Sequence, residues 1–229
     1  MKDSKPSFIL YVVASILSIA GRVQGYEILE LLFKPMVVPA IYYFYLQTKT
    51  RRTSWVFSAV LISFFLGDMI MLLDTDAGLY GVMIAGMVGH LLLINLALSD
   101  RSALKFNLFN LTFLAILLFL PSYILYTLLH LSVDSISEHY FFFLSYGVIL
   151  IFFVGVAVIQ YLSHGDAPSL YLCTAALALL TSDLLYSISR FIMEMELLVN
   201  INLAAQFMAY YFMVRYYNSR PFELKLRKG

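Results

Sequence analysis

The sequence predicts an all-α fold, a polytopic bundle of about eight transmembrane helices in a single integral membrane domain over residues 1–229. Three observations carry that expectation. Of the 229 residues 62% are hydrophobic and 13% charged, whereas a soluble domain has about a quarter of its residues charged. Apolar stretches recur along the chain at lengths near the roughly 20 residues that cross a hydrocarbon core as helix. Turn-formers and charges gather in short connections between them, none long enough to fold as a soluble domain. The formal net charge of +1 gives no basic surplus for a nucleic acid, and that partner is set aside. Cys173, alone in an apolar run, leaves no intrachain disulfide and no thiol cluster.

Taken in order, the first stretch runs from Phe8 to Arg22, behind Lys2 and Lys5. Its Ser18, Ile19 and Ala20 resemble the small-x-small site of a secretory leader. It is read as an uncleaved first helix, because later segments also span. The remaining stretches run from Leu29 to Leu46, Ser54 to Leu73, Ala77 to Leu98 and Phe106 to Leu129, then Tyr140 to Leu162, Ser169 to Ile188 and Leu197 to Tyr217. The first is the shortest. In the fourth, Gly81, Ala85 and Gly89 recur every four residues and would let a neighbouring backbone approach closely.

Lysine and arginine collect on the cytoplasmic side of membrane proteins. With the N-terminus inside, the inner segments hold Lys2, Lys5, Lys49, Arg51, Arg52, Arg101, Lys105, Arg220, Lys225, Arg227 and Lys228, and the outer connections hold Arg22 and Arg190. The expectation is a multi-pass protein of a bacterial inner membrane with both termini cytoplasmic.

An ionised side chain at bilayer mid-depth costs about 3 kcal/mol on insertion scales, so such residues face polar cavities. Lys34 lies in the second stretch beside Pro35, Asp68 follows Gly67 in the third, and His90 follows Gly89 in the fourth. Asp183 follows Ser182 in the seventh, with Tyr186 and Arg190 at helical spacing, and Asn202 and Gln206 share a face of the eighth. One polar cavity joining Lys34, Asp68, His90, Asp183 and Gln206 is expected. Blander roles stand beside these: Lys34 snorkelling to headgroups, His90 bonding between helices, and Asn202 with Gln206 as a packing pair. Asp68 precedes His90 by 22 positions and Asp183 precedes Gln206 by 23. This spacing suggests a parallel four-plus-four repeat that would set the two acids across a central cavity.

At these positions the chain resembles the YhhN family of membrane proteins, whose characterised animal members are lysoplasmalogenases. The matching elements are Phe33-Lys34-Pro35, Leu66-Gly67-Asp68, Gly89-His90, Thr181-Ser182-Asp183 and Ala204-Ala205-Gln206, in family order. Leu203 departs from the family pattern, which has a tyrosine there. The resemblance implies hydrolysis of the vinyl ether bond of a lysophospholipid, releasing a fatty aldehyde and a glycerophospho-head group. Its partners would be that substrate and membrane lipids, with no cofactor and no metal. Asp68 and Asp183 would be catalytic, one acid kept neutral by burial and the other held ionised by Lys34. His90, Gln206, Tyr186 and Asn202 would serve substrate binding or electrostatics. Which aspartate is the acid stays open, as do oligomeric state and head-group preference.

A zinc hydrolase needs three or so protein ligands, and His130, His139 and His164 sit at stretch edges without His-x-x-x-His spacing. No Gly-x-Ser-x-Gly elbow is present for a serine hydrolase. The alternative class is a transporter or lipid-binding protein using the same acids for proton or cation coupling. A Schiff base on Lys34 is a remoter one.

Overall fold

The computed structural model describes residues 5–49, 53–73, 75–99, 107–131 and 140–220. Among the described residues there are eight helices and no strands: α1 Lys5–Val23, α2 Glu27–Thr48, α3 Trp55–Met71, α4 Asp76–Ser99, α5 Leu108–Leu131, α6 Tyr140–His164, α7 Ala167–Phe191 and α8 Glu196–Ser219. Each of the eight expected stretches becomes one helix, with ends within three residues of the sequence reading. Seven are long and apolar enough to cross a membrane. The first stretch, read as short, becomes a helix of 19 residues that qualifies as a span, and α3, with 17, is the one that falls short. The basic residues Lys2, Arg51, Arg52, Arg101, Lys105, Lys225, Arg227 and Lys228, which carry much of the orientation argument, lie outside the described residues, as does His139.

Helix ends follow local chemistry. Ser54 caps α3 by accepting from the Phe57 N–H at 3.3 Å, and Asp166 caps α7 by accepting from the Ser169 N–H at 3.1 Å. These side chains satisfy first-turn donors that have no partner within the helix. The α1–α2 turn places Gly25 at φ 70°, a left-handed conformation that costs glycine little. Pro35 and Pro39 sit inside α2. Proline donates no hydrogen bond, so Pro35 leaves the Leu31 carbonyl without its usual helical partner.

The helices form a closed ring of neighbours: α1 packs on α2, α2 on α3, α3 on α4, α4 on α6, α6 on α7, α7 on α8, and α8 returns to α1 and α2. Helix α5 leans on α6 and α7 from outside. Only 11% of its span is buried, against 33–44% in the other six, so most of its apolar surface is left uncovered by the other described helices. The small-residue stripe of α4 meets α3: a Cβ at Gly89 would lie 2.9 Å from the Phe64 ring, and one at Gly67 3.7 Å from Ala85 Cβ.

The bundle is packed solid at one end. There Phe57 stacks on Tyr217 with centroids 4.4 Å apart and meets the Tyr45 ring edge at 4.9 Å. Asn218 donates to Thr48 Oγ1 at 2.8 Å, and Arg220 donates to the Leu96 carbonyl at 3.1 Å. The other end, where α1, α3 and α7 finish and α2, α4, α6 and α8 begin, is hollow.

Candidate functional site

A cavity of about 810 Å³ occupies that hollow end. Its mouth is lined by Arg22, Glu27, Glu30, Arg190 and Glu194, and its interior by Lys34, Asp68, Tyr146, Asp183, Asn202 and Gln206. Arg22 pairs with Glu30 at 3.2 Å, bracing the end of α1 against the start of α2. The carbonyl freed by Pro35 belongs to Leu31, itself a lining residue. Irregular backbone bonding at membrane depth is tolerated beside such a space.

Six of the seven sequence-predicted site residues line this one cavity: Lys34, Asp68, Asp183, Tyr186, Asn202 and Gln206. Asp68, on the last turn of α3, is 3% exposed. It accepts from Gln206 Nε2 on Oδ1 at 2.7 Å and from the Tyr210 hydroxyl on Oδ2 at 2.8 Å. Gln206 Nε2 also reaches Tyr210 Oη at 2.9 Å, so two residues four apart on α8 form a single clamp on the acid. Lys34, on α2, is 6% exposed and lines the same cavity as Asp68. Asp183, on α7, accepts from the Tyr146 hydroxyl on Oδ2 at 2.5 Å. Asn202 donates to the Ser182 carbonyl at 2.9 Å, tying α8 to α7 one residue before that acid.

His90 is the correction. It is fully buried and does not line the cavity. Its ring sits among Phe64, Tyr146 and Phe153, at centroid distances of 5.5, 5.6 and 5.7 Å, and neither ring nitrogen has a partner among the described residues. A residue about four turns from the hollow end of α4 points into the aromatic floor behind the acids, a direction that position along the helix does not fix.

Sequence reasoning missed two residues. Tyr210 was visible as the position four after Gln206, but 17 tyrosines hid it among interface and packing aromatics. Tyr146 had no sequence signal, since its meeting with Asp183 depends on how α6 docks on α7.

The YhhN family model matches residues 29–219, which includes every lining residue except Arg22 and Glu27. The chain belongs to the YhhN family. No curated protein and no solved structure matches it. Of the polar positions that carried the resemblance in the sequence, Lys34, Asp68, Ser182, Asp183 and Gln206 line the cavity of this YhhN protein, whereas Thr181 and His90 do not.

Proposed function

We propose that this protein hydrolyses the vinyl ether bond of lysoplasmalogens, releasing a fatty aldehyde and a glycerophospho-head group at the membrane. The observation that carries the reading is the meeting of two carboxyl groups, from α3 and α7, in one cavity with a buried lysine and a charged mouth. Carboxyl groups are expensive at this depth, and two in one space are the equipment of acid-assisted hydrolysis through an oxocarbenium ion.

One carboxyl group, protonated, gives its hydrogen to the β-carbon of the vinyl ether. The double bond's π pair forms the new C–H bond and the ether oxygen shares the resulting positive charge. A second, ionised carboxylate stabilises that cation. Water adds to the cationic carbon, and the proton it sheds returns to the first carboxylate. The hemiacetal then collapses: its C–O bond to glycerol breaks, the hydroxyl proton goes to the departing oxygen, and the aldehyde remains. The charged mouth suits a head group held near the surface while the chain lies deeper. Family membership supports the reading, and the charged residues at the cavity's mouth suit a lipid that enters head group last.

The test is aldehyde release from lysoplasmenyl-ethanolamine by the purified protein, with the saturated alkyl-ether analogue as control. Release from the first and not the second is expected, because only the vinyl ether has a π pair to take the proton. Absence of aldehyde from both, with lipid-dependent proton or cation flux in vesicles, would replace this reading with transport.

A further inference from the structure

The two acids have unequal partners. Both oxygens of Asp68 accept hydrogen bonds, from Gln206 and Tyr210. An ionised carboxylate is an acceptor only, whereas the neutral acid needs one oxygen to carry hydrogen; Asp68 is set up as the former. Asp183 accepts a single hydroxyl, on Oδ2, and among the described residues nothing donates to its Oδ1.

Tyr146 reaches Asp183 through a gap at Gly86. A Cβ at position 86 would lie 2.6 Å from Tyr146 Cε2 and 3.2 Å from its hydroxyl oxygen. Behind the ring lies His90, edge-on at 5.6 Å. The hydroxyl is thereby aimed at Oδ2 from a fixed side.

We infer that Asp183 is the proton-carrying acid, with its hydrogen on Oδ1, and that Tyr146 is a positioning residue that puts it there by occupying Oδ2. Once the proton has left, the same hydroxyl donates to an anion, and that bond becomes charge-assisted and stronger. The cavity's other charged and titratable groups are Lys34 on α2, Asp68 on α3, and Tyr186 with Arg190 on the same helix as Asp183. At the mouth stand Arg22, Glu27, Glu30 and Glu194, while α8 contributes the neutral amides Asn202 and Gln206. Its kinetic consequence rests on the hydrolase reading; its spectroscopic consequence does not.

The experiment is infrared absorption of the purified protein at neutral pH, for wild type, D68N, D183N and Y146F, followed by turnover of lysoplasmenyl-ethanolamine. A protonated-carboxyl C=O band is expected in wild type and D68N and is lost in D183N. In Y146F the band moves to higher frequency, because the Oδ2 carbonyl has lost its donor. Loss of the band in D68N rather than D183N overturns the assignment, and an unmoved band in Y146F overturns the role of Tyr146. In turnover, Y146F lowers kcat about tenfold with KM within about twofold, the worth of one hydrogen bond to a charged group. G86A, which keeps the hydroxyl but displaces the ring, lowers it similarly, and the double variant is no worse than Y146F. A raised KM with unchanged kcat in Y146F overturns the positioning role. A wild-type band that behaves as expected in a protein releasing no aldehyde upholds the proton assignment and removes the hydrolase reading.

Discussion

Asp68 and Asp183 occupy comparable places, each near the hollow end of a helix that packs beside the N-terminal half of the next. Their surroundings differ. Asp68 is gripped on both oxygens by α8, while Asp183 is touched on one oxygen by α6. The helices around them share an order of neighbours: α1–α2–α3–α4 in the first half, α5–α6–α7–α8 in the second, with α4 on α6 and α8 on α2 closing the ring. Departures come at α1, which closes against α8, and α5, which leans outward on α6 and α7. Similar scaffolds thus present two chemically identical side chains to unlike partners, and the partners decide which carboxyl group keeps a proton.

The largest effect expected from breaking this pair is the loss of both roles. D68N and D183N should each lower aldehyde release by at least about 100-fold, since asparagine keeps the shape without the proton or the charge. Size-exclusion profiles in detergent should match wild type. Near-normal turnover in both would make the acids structural and end the two-carboxylate mechanism.

Lys34 comes next. K34M removes the buried cation of the cavity, and kcat should fall by about tenfold or more if that charge holds one carboxylate ionised, with partial recovery in K34R. A rise in KM at constant kcat would instead assign the lysine to the lipid phosphate. Smaller still is Y210F, which takes one of two donors from Asp68 and leaves Gln206 in place. A loss of about threefold to tenfold in kcat is expected, the worth of one hydrogen bond among several.

The smallest effect on turnover should come from G89A. Its new Cβ would press the Phe64 ring at 2.9 Å, on the Asp68 side, and its nearest neighbours all belong to that ring, which donates to neither acid. Thermal unfolding should report about 1–3 kcal/mol of overpacking, and turnover should change by less than about twofold. G86A presses Tyr146 and should cost activity, so the two glycines together separate packing strain from loss of the hydroxyl's aim.

The sequence by itself determined the helices and the membrane. Length and apolarity fix where a chain can cross a bilayer, and every stretch read from hydropathy became a helix. It also exposed Lys34, Asp68 and Asp183, because an ionisable group in an apolar run stands out against its neighbours. Gln206 was findable for the same reason. What only the tertiary structure decided is direction and partnership. His90 was as conspicuous in the sequence as Asp68, yet the rotation of α4 turns it toward Phe64, Tyr146 and Phe153 and away from the cavity. Tyr146 and Tyr210 were indistinguishable from other tyrosines until the docking of α6 on α7 and of α8 beside α3 brought each hydroxyl to an acid. Hydropathy is a property of one segment, whereas a hydrogen bond between helices depends on the rotation and depth of two. Those are set by ridge-and-groove contacts such as Gly86 against Tyr146, which no single stretch of sequence contains.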